Sequence, residues 1–184
     1  VADYTLAKGV KVNLQAGPNF STLLGSAGTA VNYTVITSLG LATDAGSAAN
    51  TLQGLASTSK LSGNYVLGAD VDASDTRTWN YDAASKSYAG FAPIGIEVTA
   101  NGFRGVFAGL GHTINNLYIN RPLDSSVGLI GSTSLLAKSV IRDVGLQGGS
   151  IVGKNNVGAL VGTLYQAKLF NSFATSSVRG DDNV

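Results

Sequence analysis

The feature that most limits the fold is a set of short apolar runs that return at a near-constant interval. They are "TINNLYI" (113–119), "VGLIG" (127–131), "VIRDVGL" (140–146), "GSIVG" (149–153) and "VGALVG" (157–162). Glycine, asparagine, serine and aspartate separate them, which is strand-and-turn punctuation. A helical repeat of similar length needs segments of roughly ten or more residues with a 3.6-residue period, and the repeated part contains none. Laying Ile114 on Ile141, Leu117 on Val144 and Ile119 on Leu146 gives a spacing of 27. Val127-Gly128 falls on Val157-Gly158 at 30. Phe170 and Phe173 extend the first two matches, and Val178 and Gly180 follow Ile151 and Gly153 at 27. Recurrence on that scale is the signature of stacked repeats. Gly131 and Gly162 close two matching runs that differ by one residue, so one copy should carry a bulge.

These spacings predict an all-β fold: a right-handed parallel β-helix with about 27–31 residues per coil and three short strands in each. Ile114, Ile141 and Phe170 are expected to form one internal column, and Leu117, Val144 and Phe173 another. Asn115-Asn116, Arg142-Asp143 and Asn171-Ser172 are read as equivalent bends, because Asn and Asp tolerate the left-handed conformation. Residues 1–100 are less regular. Strands are expected within 9–15, 32–40 and 61–74, with loop excursions at about 41–58 and 75–90. The first excursion has room for a short helix. Residues 101–184 carry the repeats, in an array expected to be truncated at its C-terminal end.

Composition narrows the function. Apolar residues make up 44% of the 184 and charged residues only 12%, the reverse of a disordered chain. The 12 Lys and Arg are scattered and the formal net charge is +1. A nucleic-acid partner is therefore not expected, since counterion release needs clustered cations. Without cysteine there is no disulfide framework or thiolate metal site. No apolar run reaches the roughly 18 residues of a spanning helix.

Candidate sites are few. His112 is the one histidine; its nearest acids in sequence, Glu97 and Asp124, have no motif spacing to it, and it reads as a turn residue. Asp70, Asp72 and Asp75 offer the oxygen donors calcium prefers, but without the loop glycine and distal Glu of a hand motif. They read first as solvated acids at a strand end. No catalytic residue and no cofactor is expected. Trp79, Tyr81 and Tyr88 on the second excursion, with Tyr118 on a predicted strand, are the candidate ligand-binding residues, because exposed rings give large rigid contact area.

At "GFRGVFAGLGHTINNLYI" (102–119) the sequence resembles the segment preceding the GLUG repeats of filamentous-haemagglutinin-like bacterial adhesins. "VGLIGST", "GGSIVGKNNVGALVG" and "SSVRGDDNV" resemble the repeats themselves, and "YTVITSLG", "LSGNYVLGADVDAS" and "GFAPIG" the coils upstream. Alanine stands in "FAGLGH" where many relatives have aspartate. The resemblance implies a secreted or surface-exposed rod, associated with an outer membrane and exported through a partner of the two-partner secretion type. Attachment, biofilm formation or display would be its work, with host or matrix glycans or a cell-surface receptor as partners. The open coil ends add self-association, end to end or side by side. The alternatives are a polysaccharide-acting enzyme on the same fold and a purely structural fibre or matrix protein.

Overall fold

The computed structural model describes residues 4–184. In chain order the strands are β1 (Gly17–Thr22), β2 (Val31–Ile36), β3 (Asn64–Leu67), β4 (Val71–Asp72), β5 (Tyr81–Asp82), β6 (Ser87–Tyr88), β7 (Val106–Ala108), β8 (Thr113–Asn115) and β9 (Tyr118–Asn120). They continue as β10 (Ile130–Ser132), β11 (Ser139–Arg142), β12 (Gly145–Gln147), β13 (Ser150–Val152), β14 (Val161–Thr163), β15 (Ala167–Phe170), β16 (Phe173–Ala174) and β17 (Ser177–Arg179). One short helix, α1 (Asp44–Ser47), and three 3₁₀ turns complete the described residues. The protein is nearly all β, and apart from β1–β2 and β5–β6 its strand pairs are parallel.

The chain visits the same sheets in the same order once per repeat. The largest sheet runs β1-β2-β3-β7-β11-β15, and beside it lie β4-β8-β12-β16, β9-β13-β17 and β10-β14. A repeat such as 106–132 therefore contributes four strands (β7, β8, β9, β10), not three. Parallel register stacks like on like. Tyr65, Phe107, Ile141 and Leu169 form one column, Val71, Ile114, Leu146 and Ala174 a second, and Ile119, Ile151 and Val178 a third.

The expected columns must be corrected. Ile114 and Ile141 are both buried but belong to different sheets: Ile114 pairs with Leu146, and Ile141 with Phe107 and Leu169. Phe170 stacks on Arg142. Leu117 has no apolar partner in the next repeat, because its place there is taken by Gly149, whose Cβ position lies 2.1 Å from the Leu117 carbonyl oxygen. Val144 sits beside Ser172, whose Oγ accepts its N–H. Phe173 pairs with Gly145 and is 49% exposed. The spacing in the repeated part also runs wider than 27–31: Val106 to Val140 is 34 positions, while Ile151 to Val178 is 27. The cause is physical. The pattern apolar–polar–polar–apolar marks more than one corner of each repeat, so an alignment on that pattern alone slips by one strand.

The three bends read as equivalent are all left-handed, but only two of them share a corner. Asn116, Asp143 and Asn171 all have positive φ (62°, 53° and 50°). Asp143 and Asn171 occupy one corner; Asn116 occupies the next, where Gly148 takes its place one repeat on. Val127 bridges Val157, 30 positions on, whereas Ile130 pairs with Val161, 31 on. The extra residue of the bulge thus falls between Val157 and Val161. Gly131 and Gly162 do stack: a Cβ on Gly131 would lie 2.4 Å from the Gly95 carbonyl oxygen, and one on Gly162 2.7 Å from that of Gly131.

The central strands of the large sheet, β2, β3, β7 and β11, are largely buried on both faces. Their inward residues, among them Ile36, Tyr65, Phe107 and Ile141, join the main core. The alternate residues Val35, Val66, Val106 and Ala108 form a second cluster on the outer face, with Phe20 and Val140 of the sheet packed against it and Tyr4, Val12 and Leu14 covering it. Residues 4–15 are the cover. The expected strand at 9–15 is not a laddered strand; it crosses the layers. The Val12 N–H donates to Leu110 O after β7 (3.1 Å) and the Leu14 N–H to Gly68 O after β3 (3.0 Å). Val12 and Leu14 face inward, but Val10 is 45% exposed. Both excursions also depart from a simple surface loop. Residues 41–58 send Leu52 and Leu55 fully into the core. Buried Gln53 there pairs with the backbone of Ala92, its Nε2 donating to the carbonyl (3.1 Å) and its Oε1 accepting the N–H (3.0 Å).

Candidate functional site

The second excursion leaves the stack after β4 as a 3₁₀ turn, Ser74–Thr78. Buried Thr76 fixes it: its Oγ1 donates to Ala73 O (2.5 Å) and accepts the Tyr118 N–H (2.9 Å). Trp79 then packs half-buried against the main core, so it anchors the excursion. Beyond it β5 and β6 make an antiparallel hairpin in which Tyr81 faces Tyr88. Asp82 holds the turn, accepting from the Ala84 N–H (3.1 Å), the Ser85 N–H (3.1 Å) and the Ser85 hydroxyl (2.6 Å). Those bonds hold its carboxyl below the usual range. The hairpin base is bonded to β9: Asn120 N–H donates to Ala89 O (3.0 Å) and Phe91 N–H to Tyr118 O (2.9 Å). Gly90 (φ +77°) permits this approach, since a Cβ there would lie 2.2 Å from the Tyr118 carbonyl oxygen.

The four aromatic candidates thus separate. Tyr81 and Tyr88 are 58% and 39% exposed, with ring centroids 5.1 Å apart and planes tilted by 58°. Tyr118 is half-buried and lies under the Arg77 guanidinium, 5.5 Å from its ring centroid.

A concavity of about 600 Å³ lies where 93–97 and 121–127 meet the first excursion. Glu97, Arg121 and Asp124 line it together with Ala92, Pro93 and Ile96. Arg121 Nη1 reaches Asp124 at 3.5 Å and its Nε donates to Phe91 O at 3.3 Å. The sequence held both acids, 27 positions apart (124 − 97), without a spacing that joined them.

His112 is buried at the corner after β7. Its Nε2 lies 3.0 Å from Val12 O and its Nδ1 3.2 Å from Asp70 Oδ1. A carbonyl can only accept, so Nε2 carries a proton in this contact. Asp70 also accepts from Lys11 Nζ (2.6 Å) and the Thr113 N–H (2.9 Å). Partial burial pushes its carboxyl up, but the bonds from Lys11, Thr113 and His112 outweigh burial and hold it down at about 2. This acid stands 42 positions from the histidine, too far for any motif to show. Asp72 turns instead to Ser74, accepting its N–H (3.0 Å) and hydroxyl (3.1 Å). Asp70, Asp72 and Asp75 therefore do not converge, and the described residues contain no group of three or more acidic, His or Cys side chains placed to hold a metal ion.

No protein-family model matches the sequence, and no solved structure matches it. The chain is 36% identical over 122 residues to halomucin of Haloquadratum walsbyi (strain DSM 16790 / HBSQ001), a large cell-surface protein. The match covers 65% of this chain and 1% of the length of halomucin. This similarity suggests a surface-protein repeat.

Proposed function

We propose that this chain is a segment of a surface adhesin, wound as a right-handed parallel β-helix whose work is attachment and display. The observation that carries the reading is the strand-for-strand stacking of Tyr65, Phe107, Ile141 and Leu169, because a stack that adds one layer per repeat builds length without enlarging its core. Right-handed winding follows from the rule for parallel crossovers. The likeness to halomucin supports the surface location. The motif resemblance to GLUG-containing, filamentous-haemagglutinin-like proteins supports the adhesive role, a contribution to biofilm, and export through a dedicated outer-membrane partner. The test is display on cells. Antibody to this chain should label intact cells, and the purified chain should compete with their attachment to a matrix. Labelling only after lysis would overturn the reading.

The groove favours a second reading, a polysaccharide-acting enzyme. Two carboxylates on one groove are the minimal equipment for general acid–base cleavage of a glycosidic bond, and Glu97 and Asp124 share one. Turnover of acidic or neutral polysaccharides that disappears in both Glu97→Gln and Asp124→Asn would establish it; no turnover, or turnover untouched by both changes, removes it.

A further inference from the structure

Tyr81 and Tyr88 present more apolar surface to solvent than a hairpin of two paired residues needs. A cross-strand pair stabilises a hairpin whether it is aromatic or Thr-Thr, and the turn here is already fixed by the three bonds to Asp82. The base is fixed independently: Asn80 Nδ2 donates to Gly90 O at 2.7 Å, and Trp79 packs on the core. The rings are thus held on a rigid support with both ends pinned, so little conformational entropy is lost when a ligand meets them.

We propose that the Tyr81–Tyr88 pair is a stacking platform for a neutral pyranose ring, the contact through which the attachment function takes hold of a glycan. The proposal rests on the surface-attachment reading. Two rings tilted by 58° with centroids 5.1 Å apart are in contact with each other, so the C–H face of a sugar ring lies on the outward face of the pair and not between the rings. The phenol hydroxyls of Tyr81 and Tyr88 fringe that face. They match the hydroxyl rim of a sugar. Charge selects against an acidic ligand. The stretch 74–90 carries Asp75 and Asp82 against Arg77 and Lys86, the Arg77 guanidinium already lies over Tyr118, and no cation cluster remains to hold a uronate or sulfate. Trp79 and Tyr118 support the platform and do not touch the ligand.

The probes are cellotetraose and galactotetraose, neutral β-linked oligosaccharides, each titrated into the whole chain and followed by the tyrosine ring signals in NMR. One or both should bind with shifts confined to Tyr81, Tyr88 and the neighbouring turn. Tyr81→Ala and Tyr88→Ala should each weaken binding about tenfold or more, the scale of losing one ring contact, while Tyr81→Phe keeps most of it. The Asn120 and Phe91 amides report whether each variant still seats the hairpin on β9. No binding of either sugar at about 10 mM, the weak end of single-site affinity, overturns the proposal. So does binding that survives both alanine changes, or preference for a sulfated or uronic tetrasaccharide. Failure here with surface labelling intact removes the platform and leaves the surface reading standing; loss of labelling removes that reading itself.

Discussion

Two parts of the chain build one stack by different means. From Val106 onward each strand lies on the matching strand of the previous repeat, and stability comes from columns of apolar side chains in register. Before residue 100, β2, β3 and β4 keep the same register, but the cover is joined to the stack by contacts that occur once. The cover over the large sheet is held by His112, Asp70 and Lys11 at one corner and by Arg142 with Asp143 at another. Arg142 is buried with its guanidinium between the rings of Tyr4 (3.8 Å) and Phe170 (4.7 Å); its Nε donates to Asp143 Oδ2 at 2.6 Å and its Nη2 to Tyr4 O. The difference teaches that a repeat supplies inward burial for every layer, while the outer face of a sheet has to be covered by residues that do not repeat.

If that division is correct, damage to a column should unfold the whole, and damage to a clasp should free only the cover. Phe107→Ala removes a fully buried ring and should cost about 3–5 kcal/mol, with every amide of both parts losing protection together in hydrogen exchange. Leu169→Ala, in the same column but 39% exposed, should cost much less. A small effect at Phe107 would break the comparison at its base. Arg142→Ala comes next, at about 3 kcal/mol. This is the low end for removing one partner of a buried ion pair, because the cover can lift and let water reach Asp143. Limited proteolysis should then cut within residues 4–22 before anywhere else. Simultaneous cutting throughout the chain would show that the cover and the stack are one cooperative unit.

The same division explains what could be read beforehand. Strand runs, the left-handed corners at Asn116, Asp143 and Asn171, and the glycine column at Gly131 and Gly162 were legible because backbone sterics write them locally. The column partners of Ile114 and Ile141 were not, because each repeat has more than one corner with the same local pattern, and a correct choice needs the register of the whole sheet. The clasps were illegible for a stronger reason. Lys11 and Asp70 are 59 positions apart and His112 and Val12 are 100 apart, and neither pair carries a spacing rule. The hairpin was visible as a cluster of rings at 79–88, yet only packing separates the anchor, Trp79, from the exposed pair.

His112→Ala sharpens the comparison within the cover. It leaves Val12 O without its donor at a buried corner, a loss of about 1–2 kcal/mol. The effect should be local. The Val12 and Leu14 amides, bonded to Leu110 O and Gly68 O, should lose exchange protection, while those of β11–β13 keep theirs. Equal loss in both places would mean that the corner supports the stack directly.

The smallest expected effect is a pH dependence confined to the same clasp. Asp70 is held at about 2 in the folded chain, below the roughly 3.9 of an unfolded aspartate. A depressed carboxylate contributes stability that is fully present above the unfolded value and disappears as pH falls through the folded one. The window is therefore from about pH 5 down to about pH 2. Lys11 and Asp70 are each 42% exposed, so water and salt weaken the pair, and its contribution should fall further at high ionic strength. Asp70→Asn should be less stable than the parent near neutral pH, and the two denaturant midpoints should converge at the acid end of that window. Because the clasp joins residues 11–12 to the corner at 112, protection of the Val12 amide should fall in step with the midpoint, while the apolar columns beyond Val106 show no change over the same range. A parallel loss of protection in β11–β13 would place Asp70 in the support of the stack and not of its cover.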